Sequence, residues 1–183
     1  MVKKLKFTEH TEPNLLKLDL GSGKGANTPE GFIKVDLVRW NGTKVVDLRK
    51  RWPWKSNSVD EVNANYLVHY FTPEERTHFA NELYRVLKPM GTALIQVPHW
   101  CSARAYSDPR TWPVSESWLQ SLNKGVRDAQ NCVDTTGLTC DFDHTLGYGM
   151  HPDIITRHSD YQRDALMWKK EAAQDIVATL IKK

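Results

Sequence analysis

Short apolar runs separated by turn residues organise the first half of the chain. Residues 15–20 (LLKLDL) stop at a glycine cluster and read as a buried strand. Residues 32–37 (FIKVDL) and 43–48 (TKVVDL) repeat the pattern, and each run sets an aspartate just before its last position: Asp19, Asp36 and Asp47. Residues 59–64 (VDEVNA) predict a fourth strand, and residues 92–97 (TALIQV) a fifth, stopped by Pro98. Between them the period changes to that of a helix. Thr72 suits the N-cap, Pro73 the first turn, and Glu75 completes a capping box. Phe79, Leu83, Val86 and Leu87 then share one face, and Pro89 and Gly91 end the helix. A second helix is predicted over 115–129. A third is predicted from about Asp160 to the C-terminus, with Ala173, Ile176, Val177, Leu180 and Ile181 as its apolar stripe. Residues 98–113 read as irregular, and residues 138–158 have room for one or two strands.

Strands alternating with helices or short crossovers predict an α/β fold: a mainly parallel, twisted, Rossmann-like sheet flanked by helices on both faces. Ligands of such sheets bind beyond the carboxyl ends of the strands, where the three aspartates fall. The chain has 183 residues, enough for one domain spanning 1–183. Its net charge of +3 is too mild to signal nucleic-acid binding. No run is long and apolar enough for a membrane span, and the basic start, Met1 to Lys6, lacks the apolar stretch of a secretory signal. Cys101, Cys132 and Cys140 form no CxxC pair and read as reduced thiols, which predicts a cytoplasmic protein.

The sharpest chemical signal is the stretch from Asp19 to Gly25, DLGSGKG. Alternate glycines after a strand let the backbone turn and a ligand approach closely. Gly21, Gly23 and Ala26 also satisfy the dinucleotide pattern GxGxxG/A. A dinucleotide site needs a helix whose N-terminus faces the pyrophosphate, with an acid about 20 residues on. Here Asp36 follows Ala26 by only ten positions, with Pro29 and Gly31 in the gap, so at most one helical turn fits. Asp19 would repel a pyrophosphate and suits an ammonium group.

In these residues the chain resembles the class I S-adenosylmethionine-dependent methyltransferases, specifically a compact type with a shortened first helix. The resemblance rests on LDLGSGKG, GFIKVDL, VVDL, WPWKSNSVDEV and ELYRVLKPMGTALIQVPH, five blocks in order. In the last block Met90 replaces a glycine and Ala93 a leucine. The resemblance implies S-adenosylmethionine as cofactor and S-adenosylhomocysteine as product. It implies that Asp19, Gly21, Ser22 and Gly23 line the methionine end and that Asp36 binds the ribose hydroxyls. Asp47 and Leu48 would border the adenine, and Asn65 and Tyr66 would close near the reactive methyl. Where relatives show HVLEHF, this chain has YLVHYF over 66–71, so the acid–base groups of that phrase are replaced.

His69, His99 and Tyr66 are the candidate catalytic residues. They follow strands four and five, and histidine titrates near neutral pH. Each histidine also reads as a packed or surface residue, and methyl transfer needs no base when positioning suffices. Cys140, Asp141, Asp143 and His144 match no zinc spacing, so no metal is expected. Asn65, Tyr66, Leu67 and Val68 lack the prolines of amino-directed DNA methyltransferases, and Pro98 is not followed by a cysteine; DNA is therefore not the expected acceptor. The expected acceptor is an O or N nucleophile on a small molecule or saccharide-like group. RNA or protein acceptors and a homo-oligomer stay open. The alternatives are a SAM-binding sensor or partner subunit without turnover, and a nicotinamide-dependent oxidoreductase. Of seven tryptophans, Trp40, Trp52, Trp54, Trp100, Trp112 and Trp118 fall near the carboxyl edge of the sheet, as candidates for an acceptor pocket.

Overall fold

A computed structural model describes residues 15–129 and 137–183; Met1 to Lys6 and Cys132 lie outside these. Seven strands form one sheet: β1 (Lys17–Leu20), β2 (Ile33–Asp36), β3 (Lys44–Val45), β4 (Val59–Asn65), β5 (Leu87–Pro98), β6 (Phe142–Met150) and β7 (Ala173–Lys182). Their order is β3-β2-β1-β4-β5-β7-β6. The first five pair in parallel, and β7 runs antiparallel to both β5 and β6. The order reverses between β1 and β4, so the carboxyl ends of these two strands frame the switch point at which such sheets bind ligands.

Helix α1 (Pro73–Val86) is capped as its sequence requires: Thr72 Oγ1 accepts from Glu75 N–H, and the Glu75 carboxylate accepts from Thr72 N–H. Its Phe79, Leu83 and Val86 join Leu18, Leu20, Val62, Ile95 and Leu180 in one apolar cluster. The segment beyond β5 is fastened to α1 by Arg76, whose guanidinium donates to the carbonyls of Val68, Trp112 and Pro113. Burial lowers this guanidinium to about 10.

Several expectations are corrected. The C-terminal helix, α4 (Ser159–Trp168), stops early, and the predicted stripe beyond it is strand β7. Its apolar residues fit both periods. The β-branched Ile176, Val177, Thr179 and Ile181 favour the extended chain, and two flanking strands satisfy its backbone. The helix predicted over 115–129 is two short ones, α2 (Glu116–Gln120) and α3 (Lys124–Ala129). They are separated because the Asn123 side chain accepts from Val126 N–H in the manner of an N-cap. Among the described residues every α-helix follows β4 in the chain. No helix joins β1 to β2, β2 to β3 or β3 to β4, and α1 packs on the face that carries Leu18, Val62 and Ile95. On the opposite face Leu94 remains exposed. Met90, which stands where the resembled block has a glycine, occupies the left-handed region, with φ 64°, a conformation that glycine adopts without steric cost.

Candidate functional site

The glycine loop runs from β1 directly into turns, and no helix follows it. Its fold depends on Asp36 at the end of β2. One carboxylate oxygen of Asp36 accepts from Gly23 N–H at 2.8 Å and the other from Val38 N–H at 2.9 Å. Gly21 has φ 70°, and a Cβ there would lie 2.8 Å from Leu67 Cδ1. The glycine therefore allows the chain after β4 to close down on the loop.

Two cavities meet at Gly21. The first, of about 210 Å³, is lined by Asp36, Leu37, Val46, Asp47, Leu48, Leu67 and Phe71, among others, and is mainly apolar. The second, of about 220 Å³, is lined by Asp19, Ser22, Lys24, Asn63, Asn65 and Tyr66, among others. Together they bring Asp19, Gly21, Ser22, Asp36, Asp47, Leu48, Asn65 and Tyr66 into one groove. Gly23 lines neither cavity; it serves through its bond to Asp36.

The aspartates are differently engaged. Asp19 is buried and accepts from Asn63 Nδ2 at 2.6 Å and Thr28 Oγ1 at 2.5 Å. Asp47 accepts from the Arg49 guanidinium through both oxygens, and this bonding holds its carboxyl below the usual range. The Ser22 hydroxyl and Asn65 Oδ1 are buried without a hydrogen-bond partner. Unpaired buried polar atoms carry a desolvation cost that a ligand can relieve.

A methyltransferase-domain model matches residues 29–95. Among solved structures, a SAM-dependent methyltransferase from Archaeoglobus fulgidus aligns over 92% of this chain and 86% of its own, at 16% identity and TM-score 0.64. The Burkholderia thailandensis 1,6-didemethyltoxoflavin-N1-methyltransferase, bound to its substrate and S-adenosylhomocysteine, aligns over 92% and 71%, at 16% identity and TM-score 0.55. A Mesorhizobium loti SAM-dependent methyltransferase aligns over 92% and 91%, at 17% identity and TM-score 0.54. The chain has the fold of the SAM-dependent methyltransferases, and its residues 29–95 match their domain model. No curated protein matches it in sequence.

At the wall of the second cavity, Tyr66 adopts φ 52°, a costly conformation for a tyrosine. Its hydroxyl donates to Asp175 Oδ2 at 3.0 Å and accepts from Gln96 Nε2 at 2.9 Å. Burial holds this phenol above its ordinary pKa, and the neighbouring Asp175 adds to the effect.

The two histidines are placed differently from free bases. His69 is buried and packs on Tyr70, with ring centroids 4.5 Å apart. Burial, then the charge of Arg76, lowers it to about 4. His99 is held at both nitrogens: Nδ1 accepts from Cys101 N–H at 3.1 Å, which leaves Nε2–H to donate to Glu116 at 2.8 Å. These two bonds fix the orientation of the ring.

The state of His69 sets an acid sensitivity. The unfolded chain protonates it near 6.5 and the folded chain only near 4, so the unfolded state binds the proton first as pH falls. Stability therefore declines between these values, by about 2 kcal/mol at pH 5. Denaturant melts at pH 8 and pH 5 should show this loss in the native chain and its absence in His69→Gln. Equal losses in both would refute the assignment.

Among the tryptophans, Trp52 and Trp54 belong to the core, whereas Trp40, Trp100, Trp112 and Trp168 are exposed. Sequence reasoning missed Leu37, Leu67 and Phe71, whose apolar side chains line the first cavity. It also missed Asp175 and Arg104, which cluster at Tyr66. The YLVHYF run marked Leu67 and Phe71. Asp175 had no signal, because it sat in a predicted helix. Among the described residues no group of three His, Cys, Asp or Glu is placed to hold a metal, and no helix is long and apolar enough to cross a membrane. Burial raises the Cys140 thiol to about 11, which makes it unreactive.

Proposed function

We propose that the domain transfers the methyl group of S-adenosylmethionine to a nitrogen or oxygen nucleophile of a small acceptor, releasing S-adenosylhomocysteine. The observation that carries this reading is the groove that divides at Gly21 into an apolar slot behind Asp36 and Asp47 and a polar chamber behind Asp19. The slot suits adenine, with Asp36 accepting from the ribose hydroxyls through its remaining lone pairs. The chamber suits the methionine end, whose ammonium would donate to Asp19 and the unpaired Asn65 Oδ1. Tyr66 would then close over the methyl group, with His69 and His99 acting by packing and position. The cofactor supplies an activated methyl group, and the protein supplies alignment of the acceptor with it.

The groove fits a nicotinamide dinucleotide poorly, because a pyrophosphate would find no helix N-terminus beyond the glycine loop. A small acceptor is in keeping with the modest net charge, +3, which gives little pull on a polyanion. The free thiols Cys101 and Cys140 are in keeping with a reducing, cytoplasmic setting. The test is thermal stabilisation by S-adenosylhomocysteine set against NAD⁺ and NADH, followed by methyl transfer to an acceptor panel. S-adenosylhomocysteine alone should stabilise the protein, by about 2.7 kcal/mol at 100 times Kd. Stabilisation only by NADH would overturn the reading. Tight S-adenosylhomocysteine binding without turnover on any acceptor would identify a sensor subunit instead.

A further inference from the structure

The edge strand β3 and the chain after it carry a concentration of positive charge that the cofactor reading does not use. Lys44, Arg49, Lys50, Arg51 and Lys55 are all exposed, and Asp47 is the one carboxylate among residues 44–55. Asp47 accepts from Arg49 through both oxygens and lies 3.9 Å from Lys50 Nζ. Among the described residues these are the salt bridges of the stretch, which leaves Lys44, Arg51 and Lys55 unpaired. Of the five cations only Arg49 lines either cavity of the groove.

The three unpaired cations converge. Arg51 and Lys55 line an open depression of about 570 Å³, together with Trp52, Trp54, Ser56 and Arg85. Lys44 Nζ stands 5.1 Å from the centroid of the Trp54 ring. The depression is held firmly: the Glu82 carboxylate accepts from Trp52 N–H, and Arg85 donates to the Trp52 and Trp54 carbonyls. Glu82 and Arg85 also bond each other, so this pair adds no net charge. The whole chain has a net charge of +3, yet residues 44–55 alone hold five cations and one carboxylate. Salt limits the reach of exposed charge to about 8–10 Å, so a docked partner meets this local surplus and not the total.

We propose that the β3 edge is a docking surface for single-stranded nucleic acid, held through its phosphates. A line of phosphates complements a line of cations. Arg51 offers a planar fork to phosphate oxygens, and Lys44 and Lys55 offer point charges. The stripe follows one segment of chain along a sheet edge, which suits one flexible strand better than the two phosphate rows of a duplex. A bilayer surface fits less well, because Trp52 and Trp54, the aromatic residues of the segment, are buried and have no ring free to insert. Contacts to phosphate carry no sequence information, so the surface grips RNA and DNA strands alike. None of these cations lines the second cavity, at Tyr66, so the inference does not rest on the methyl-transfer reading.

The test uses the full chain and fluorescein-labelled oligo(dT) and oligo(rU) of about twelve nucleotides, read by anisotropy. Both should bind with Kd of about 1–100 μM at physiological salt, the range of non-specific contacts. Each neutralised phosphate adds about −0.7 to the slope of log K against log salt, so about four engaged cations predict a slope near −3. The combined variant Lys44→Gln, Arg51→Gln, Lys55→Gln should lose at least about tenfold in affinity at low salt, and its slope should fall to about −1. The control variant Arg157→Gln, Lys169→Gln, Lys170→Gln removes the same charge from the connection between β6 and β7, strands at the other end of the sheet from β3. It should change affinity by less than about twofold. A thermal melt shows that both variants are folded, and S-adenosylhomocysteine should leave oligonucleotide binding unchanged. The proposal is overturned if the oligonucleotides bind more weakly than about 1 mM, if the native slope is shallower than about −1, or if both variants lose affinity alike. It is also overturned if S-adenosylhomocysteine displaces the oligonucleotide, or if polyglutamate of equal length or phosphatidylserine vesicles bind more tightly.

Discussion

Asp36→Ala should weaken S-adenosylhomocysteine binding by about 100-fold or more, the largest loss expected from any single change in the groove. The Asp36 carboxylate holds the glycine loop through Gly23 N–H and the exit of β2 through Val38 N–H. A hydrogen bond to a charged group contributes roughly 1.5–3 kcal/mol. Removing the carboxylate leaves both amides without their acceptor, loosens the loop and deletes the proposed ribose contact. Asp36→Asn keeps one acceptor oxygen but presents an NH₂ to one of these N–H donors, so its loss should be intermediate. Calorimetric titration gives the affinities, and a circular-dichroism melt shows whether each variant is folded. Affinity of folded Asp36→Ala within threefold of native would remove Asp36 from the site.

Trp52→Ala should cost about 3–5 kcal/mol of stability, as large aromatic truncations in cores do. Trp52 is 2% exposed and packs edge-on against Trp54 and Phe79, at centroid distances of 6.2 and 5.3 Å. Its indole N–H donates to the Leu48 carbonyl at 3.0 Å, and its backbone N–H donates to Glu82 at 2.7 Å. Glu82 is held in turn by Arg85. The substitution therefore opens a cavity and frees the Leu48 carbonyl at the border of the first cavity of the groove. At roughly 2–4 °C per kcal/mol for a chain of this size, the melting temperature should fall by about 6–20 °C. Trp168→Ala removes an 80% exposed ring and should change stability by less than about 0.5 kcal/mol. Equal effects of the two substitutions would show that Trp52 is not a core residue.

Much of this site is legible in the chain because its parts are local. An aspartate at a strand end, a glycine where φ must be positive and a capping box at Thr72 are each set by a few neighbouring residues. So Asp19, Gly21, Asp36 and Asp47 were identifiable, and so was α1. The hydrogen-bonded cluster around Tyr66 was not legible. Asp175 meets Tyr66 across 109 positions of sequence, and His99 meets Glu116 only because residues 98–116 fold back on themselves. Reading β7 as a helix also hid Asp175, because apolar residues at 173, 176, 177, 180 and 181 satisfy a helical stripe as well as a strand paired on both sides.

By itself the sequence determined the parallel half of the sheet, the glycine turn and the acidic strand ends, since steric limits and local hydrogen bonds act over a few residues. Only the tertiary structure decided three things: that the C-terminal segment is a strand, that His99 is held at both nitrogens, and that Asp175 keeps one oxygen unpaired beside Tyr66. Each depends on partners brought together from distant segments, and burial and charge there are properties of the packed neighbourhood, which no local pattern encodes.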